Sequence, residues 1–323
     1  MNSNKYIFWS DSMSVEELKE LQLQIIKKNK ICNVIGIIVF LVLTSATIIY
    51  FKIKNIPMEL MLATTPFAML IYLFTVIYIK SKVNGKNIYR FNNEFKTIFV
   101  LGSLKKIFEE ITYYPNKGFS KDFIREVGMI DTGDSYTSND YISGKYKNIT
   151  FQQSDIHIQE KHEEEDRDGK KETVWETTFM GRVMIFDFNK RFKANIQVAS
   201  YYFGANSLPW SKRFARVKME DVEFNNTFSV YAESEHDAFY ILTPHFMEKL
   251  KDITKKLKCG IMFCFVDNKL HIAVDNRQDS FEYNVFKPIN EQKIEESITK
   301  DIRLITNFVD ELNLDNDLFR REV

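Results

Sequence analysis

Two apolar runs constrain this chain more than any other feature. Ile31 to Phe51 contains no charged side chain, and neither does Leu60 to Ile79. At 1.5 Å of rise per residue each run reaches about 30 Å, the thickness of a bilayer's hydrocarbon core. Backbone polar groups in lipid must be satisfied within the protein, so such runs are helical. The pattern predicts an integral membrane protein with a two-helix transmembrane hairpin, spans 31–51 and 60–79. Lys19, Lys27, Lys28 and Lys30 precede the first span, and Lys80, Lys82, Lys86, Arg90 and Lys96 follow the second. Only Lys52 and Lys54 lie between them. Basic residues stay on the cytoplasmic side. Both termini are therefore expected in the cytoplasm, the connection at Asn55–Pro57 outside, and the protein in the cytoplasmic (inner) membrane as a multi-pass chain. A cleaved signal peptide ending near Leu43-Thr44-Ser45-Ala46 is the rival. A 30-residue charged leader is too long for it, and the apolar run continues past Ala46.

Neither span contains Asp, Glu, Lys, Arg or His, the groups that line ion and proton pathways. This argues against a transporter or channel. Pro66 is expected to bend the second span, with Thr64, Thr65 and Thr75 able to bond backbone within it.

The rest of the chain divides by pattern. Residues 1–30 read as a cytoplasmic tail and lead-in helix. Ser14 and Glu17 form a capping box there, and Leu18, Leu21, Ile25 and Ile26 form a stripe at helical spacing. That stripe is expected at the membrane surface. Residues 31–80 form the hairpin, and 81–115 a juxtamembrane helix (91–111) and linker. Tyr114-Pro115-Asn116-Lys117-Gly118 breaks the helical pattern, so the cytosolic domain is placed at 116–323.

Period-two alternation begins near Asp140, with turns expected at Ser143-Gly144 and Lys147-Asn148. The polar stretch 160–172 reads as the tip of a long hairpin. Strands are expected at 174–179, 182–188, 192–199, 224–231, 238–242, 261–266, 270–274 and 281–285. Thr243-Pro244 starts a helix ended by Gly260, with Phe246, Met247 and Leu250 in the core. A last helix runs over 291–312, with Ile294, Ile298, Ile302, Ile305, Val309 and Leu312 on one face. Strands in clusters, with helices between and after, make an α+β domain of antiparallel sheet with flanking helices.

Chemistry is hard to find. No Gly-x-Ser-x-Gly elbow, phosphate-binding loop or His-Glu-x-x-His motif is present. His157 and His162 are five residues apart, and His162 sits among acidic residues. Glu220, Asp221 and Glu223 are close in sequence and read as surface charge, and the Glu235-His236-Asp237 run reads as a polar turn between strands. Cys259 and Cys264 are offset by five residues, which suits neither a disulfide nor a shared metal. No cofactor and no metal is expected. Residues 81–323 carry 36 basic and 39 acidic side chains, a poor balance for nucleic acid.

One stretch departs from that balance. Residues 188–219 hold Lys190, Arg191, Lys193, Lys212, Arg213, Arg216 and Lys218 without an acidic residue. Tyr201, Tyr202, Phe203, Trp210 and Phe214 are interleaved. Basic groups beside anionic lipid gain about 1 kcal/mol each, and Trp and Tyr favour the headgroup level. An anionic surface is therefore expected at Lys190, Arg191, Lys193, Trp210, Lys212, Arg213 and Arg216, either inner-leaflet lipid or an acidic protein partner. The alternative is that these cations pair with the acidic tip at 160–172.

Several strings carry a family resemblance. They are Asp140-Tyr141-Ile142-Ser143-Gly144-Lys145, Phe179-Met180-Gly181-Arg182-Val183, Val217-Lys218-Met219-Glu220-Asp221 and Ala238-Phe239-Tyr240-Ile241-Leu242-Thr243-Pro244. With them the chain resembles, over most of 85–290, the bacterial membrane protein family catalogued as domain of unknown function 3137. Phe239 stands where that family's pattern has an arginine. The resemblance implies two spans ahead of a cytosolic domain, and it implies no activity and no catalytic residue. The function expected is a membrane-anchored cytosolic binding or scaffold module. The alternative is an enzyme acting on a lipid or membrane-bound substrate through Glu220, Asp221 or His236.

Overall fold

The computed structural model describes residues 13–55, 57–165, 171–187, 194–201, 203 and 209–314, and for 58–68 the backbone alone. The chain forms two compact units, Met1–Val100 with Tyr283–Glu291, and Leu101–Glu282 with Gln292–Val323.

The first unit is built on α1 (Val15–Ile53) and α2 (Met58–Phe95). The capping box is present: Ser14 Oγ accepts from Glu17 N, and Glu17 accepts from Ser14 N at 2.7 Å. The bond from Ser14 N holds the Glu17 carboxyl below its usual range. Of the stripe, Leu18, Leu21 and Ile25 are buried. The cover comes from sequence far away. Gln22 Nε2 donates to the carbonyls of Val285 and Lys287, Lys19 pairs with Glu291 at 2.6 Å, and Tyr283 stacks on Phe95 at 4.7 Å.

Beyond this stem most α1 side chains are exposed, including Ile31, Val34, Ile38, Leu41 and Ile49. Cys32, Gly36, Phe40 and Thr44 recur every four residues as the inward stripe. A Cβ on Gly36 would lie 2.6 Å from Val76 Cγ2, and Phe40 meets Tyr72 at 5.0 Å. Gly36 thus lets α1 and α2 approach closely and antiparallel, as small residues do in membrane helix pairs. Among the described residues, α1 alone is long and apolar enough to cross a membrane. The side chains of Thr64, Thr65 and Pro66 lie outside the described residues.

The expected juxtamembrane helix differs. After α2 comes a six-residue π-helical stretch, Lys96–Leu101, then α3 (Gly102–Ile107). Residues 110–114, placed by pattern in helix and linker, are the first strand β1, paired along β2 from Glu110↔Lys145 to Tyr114↔Tyr141.

The second unit is a nine-stranded sheet, β1 (Glu110–Tyr114), β2 (Ser135–Tyr146), β3 (Ile149–Glu165), β4 (Lys171–Asp187), β5 (Ile196–Ser200), β6 (Ala215–Val217), β7 (Phe228–Ala232), β8 (Gly260–Val266) and β9 (Lys269–Asp275). The order is β1-β2-β3-β4-β9-β8-β5-β7-β6, with every neighbour antiparallel. This is the α+β architecture expected. On one face, Phe119, Met129 and Ile130 join Ile124 of α4 (Lys121–Val127) over Ile156, Ile158, Val183, Ile185 and Met262. On the other lie α7 (Pro244–Leu257) and α8 (Glu291–Leu312), where Phe308 meets Phe186 and Phe263 at 6.4 Å.

Some local expectations fail for local reasons. Residues 222–227 form α5 (Val222–Thr227), because Asp221 accepts from Phe224 N and Asn225 bonds the carbonyls of Met219 and Asp221. Residues 235–241 form α6 (Glu235–Ile241), capped by Ser234. Cap chemistry at both places overrides the β propensity of an aromatic run. Residues 281–285 are not a strand, and Phe281, at φ +62°, lies outside the extended region. Ser143 and Gly144 are inside β2, and the turn is at Lys147-Asn148, both with positive φ. Thr243 caps α7 as expected, but Lys258 in the left-handed region ends it, ahead of Gly260.

Candidate functional site

The basic stretch is built around a 3₁₀ turn, Pro209–Lys212, leading into the edge strand β6. The Trp210 carbonyl accepts from Arg213 N and Phe214 N, both at 2.9 Å, which closes the turn. Trp210 itself is 3 % exposed and packs edge-on against Phe214 at 5.2 Å. Its place among headgroup-facing residues is therefore corrected: the indole is an internal anchor. Gly128, left-handed at φ +68°, ends α4 and leaves room for it; a Cβ there would lie 3.2 Å from Trp210 Nε1. What the anchored turn presents outward is Lys212 and Arg213, with Arg216 and Lys218 beyond it, all exposed. None of them makes an ion pair with another described residue, and the expected alternative pairing with the acidic hairpin is not formed by them. Lys190, Arg191 and Lys193 lie outside the described residues. The stretch thus contributes Lys212, Arg213 and Arg216 as one uncompensated cationic edge, and it withdraws Trp210 from the surface.

The acid–base groupings have structural uses. Asp221 caps α5, and Lys251 Nζ lies 2.8–3.0 Å from Asp221, Glu223 and Glu248. The Glu248, Asp221 and Glu223 carboxylates hold the Lys251 ammonium above the ordinary lysine range. His236 is exposed at the start of α6, its Nδ1 3.4 Å from Asp237. His162 lies 3.4 Å from Glu176 and 3.8 Å from Glu160 on an exposed ribbon.

Two buried polar groups escaped the sequence reading. In the first, Gln197, Cys264 and His271 occupy one cross-strand row over β5, β8 and β9. Burial pushes the Cys264 thiol up to about 12 and the His271 imidazole down to about 4, with Lys269 adding to the latter. A protonated thiol beside a neutral, enclosed ring is no nucleophile–base pair. The row is packing, with Gln197 Nε2 donating to the Met129 carbonyl.

The second group surrounds Arg182, which is 2 % exposed in the middle of β4. Its Nε lies 3.4 Å from Asp155 Oδ1, its Nη1 donates to the Asp301 carbonyl at 2.6 Å, and the Phe281 ring lies 5.2 Å from its Cζ. Asp155 Oδ2 accepts from Ser280 N, and Asp140 accepts from Tyr113 Oη and from Asn139 Nδ2. Asp140 sits at φ +51° in the bulge where β2 and β3 shift register. Burial, then the Asp140 charge, drives the Tyr113 phenol well above its usual range, and burial also raises Asp301. Oxygens of Asp140, Asp155 and Asp279 lie within 4.8 Å of one another, a spacing hard cations accept. Arg182 supplies the countercharge to Asp155, so an internal ion network accounts for the grouping. The signal for it lay in β4, where Arg182 is the one charged residue between Phe179 and Phe186, whereas Asp155 follows the polar run Gln152–Ser154 and carries no such signal.

Compared with known proteins, residues 177–314 match the family described as "Protein of unknown function (DUF3137)". The strings at 179–183, 217–221 and 238–244 lie in the matched span, and 140–145 precedes it. No curated protein and no solved structure matches the chain.

Proposed function

From the match of residues 177–314 to the DUF3137 family, we propose a membrane-anchored binding or scaffold module whose cationic edge meets an anionic surface. Membrane anchoring rests on the exposed apolar surface of α1, which water would not tolerate over such a length. Two spans, rather than one, are supported by α2, whose Met69, Leu70, Ile71, Leu73, Phe74 and Ile77 are exposed as well. The nine-to-two distribution of basic residues supports termini in the cytoplasm of a bacterial inner membrane. The observation that carries the binding role is the uncompensated set Lys212, Arg213 and Arg216, held outward by the buried Trp210. The close acidic groups nearby are engaged in capping and ion pairs, which favours a binding surface over a reaction centre.

The test uses the full chain in nanodiscs of neutral phosphatidylcholine, mixed with vesicles containing phosphatidylglycerol. The protein should bind these vesicles at low salt, less at high salt, and bind neutral vesicles weakly, because the Debye length is only about 8–10 Å near physiological ionic strength. Replacing Lys212, Arg213 and Arg216 by Ala should remove the preference. Binding that ignores lipid charge in the wild type, together with no acidic protein crosslinked to Arg213 in cells, would overturn the proposal.

A further inference from the structure

The hairpin of β3 and β4 outgrows the sheet. Pairing of β2 with β3 stops at Gln159, and pairing of β9 with β4 starts at Arg182. Residues 160–165 and 171–176 therefore stand as a two-stranded ribbon beyond both neighbouring ladders, with Lys161 N donating to Asp134 Oδ2 at its base. The register sorts its side chains onto two faces. Glu160↔Glu176, His162↔Val174 and Glu164↔Glu172 share one face, and Lys161↔Trp175, Glu163↔Thr173 and Glu165↔Lys171 share the other. The two lysines and the Lys171–Glu163 pair fall on the second face. The first face holds four glutamates in two like-charge pairs directly opposite each other, an arrangement that destabilises a ladder. Among the described residues, only His162 lies within ion-pair distance of these glutamates, and no lysine or arginine pairs with Glu160, Glu164, Glu172 or Glu176.

Charged edges protect a ribbon from aggregation, but opposite signs across the strands would do so equally well. A face of one sign fits a surface of the other. The matching surface in this chain is Lys212, Arg213 and Arg216, also without described partners and not paired with the ribbon of its own copy. Four residues separate the two Glu–Glu pairs, about 13 Å of strand, a length that several cations can line.

We infer that the glutamate face of the β3–β4 ribbon docks on Lys212, Arg213 and Arg216 of a second copy. The inference rests on the reading of that edge as an anion-binding surface, and it names the anion. Each copy offers one ribbon face and one cationic edge, so reciprocal exchange closes as a two-fold dimer. Such a contact orients the partners and weakens with salt.

The test is the mass of the full chain in neutral dodecyl maltoside micelles, read by sedimentation velocity. A dimer at 50 mM salt should give way to a monomer at 500 mM, with the dimer dissociation constant rising about tenfold or more. The triple variant Glu164→Lys, Glu172→Lys, Glu176→Lys should be monomeric, as should Lys212→Glu, Arg213→Glu, Arg216→Glu. Combining all six substitutions restores both charge complementarity and net charge, and should restore the dimer. Circular dichroism checks folding, and the neutral pair Glu164→Gln, Glu172→Gln covers the case where a reversal does not fold. A wild type that is monomeric at low salt, a dimer indifferent to both triples, or a six-fold variant that folds but stays monomeric each overturns the inference. Monomers that still bind phosphatidylglycerol vesicles would leave the anionic-surface reading standing with lipid as its target. A charge-swappable dimer without vesicle binding would instead identify that surface as the ribbon.

Discussion

Replacing Arg182 by Met gives the sharpest test of what holds the sheet together. Arg182 and Asp155 have side chains 2 % and 3 % exposed, so water cannot take over for a missing partner. Met retains much of the volume but strands the Asp155 carboxylate near Asp140, and it removes the donor to the Asp301 carbonyl. Breaking a buried pair from one side costs about 3–5 kcal/mol. For a unit of roughly 200 residues each kcal/mol moves the melting temperature by about 2–4 °C, so a drop of about 6–20 °C is expected. Asp155→Asn should cost less, because its amide oxygen still accepts from Ser280 N. The double variant Arg182→Met/Asp155→Asn should recover part of the loss, since position 155 no longer carries a stranded charge. The assay is thermal unfolding of the full chain in micelles, with all three variants compared as a cycle. If Arg182→Met costs under about 1 kcal/mol, or the double variant loses the sum of the singles, the buried pair does not stabilise the sheet.

His271 predicts a pH dependence. Its folded value is depressed to about 4 against an ordinary 6.5, so between these limits the unfolded chain binds the extra proton and stability falls as the pH falls. The full effect below pH 4 is about 3 kcal/mol, and His271→Gln should flatten that part of the profile; an unchanged slope between pH 6.5 and 4 would show the ring is not enclosed. For topology, an impermeant thiol reagent should label a Cys at Asn55 from outside intact cells and miss one at Glu164, in a background lacking native cysteines. The opposite pattern would reverse the orientation.

Much of the chain was legible because its signals are local. The uncharged runs, the Ser14–Glu17 capping box, Thr243-Pro244 at the start of α7 and the apolar stripe of α8 each depend on residues within a turn or two. The Asp267-Asn268 turn between β8 and β9, both residues with positive φ, is of the same kind. At α5 and α6 the local reading failed because a cap competed with an aromatic run. Cap bonds and strand propensity differ there by amounts too small to rank from sequence.

Other features were decided only by tertiary structure. Trp210 reads as an interfacial residue until Gly128, more than eighty positions away, is seen to leave a slot for it. Gln22, in the same helical turns as Leu18, Leu21 and Ile25, finds its partners only when Val285 and Lys287 return to that unit. The like-charge ladder on the ribbon needs a register, which a one-residue slip would convert into alternating faces. Arg182 and Asp155 become partners because β3 and β4 align them, though 27 positions separate them. Local propensity acts through neighbouring backbone and so is written in the sequence, whereas burial and countercharge depend on which distant segments share a volume.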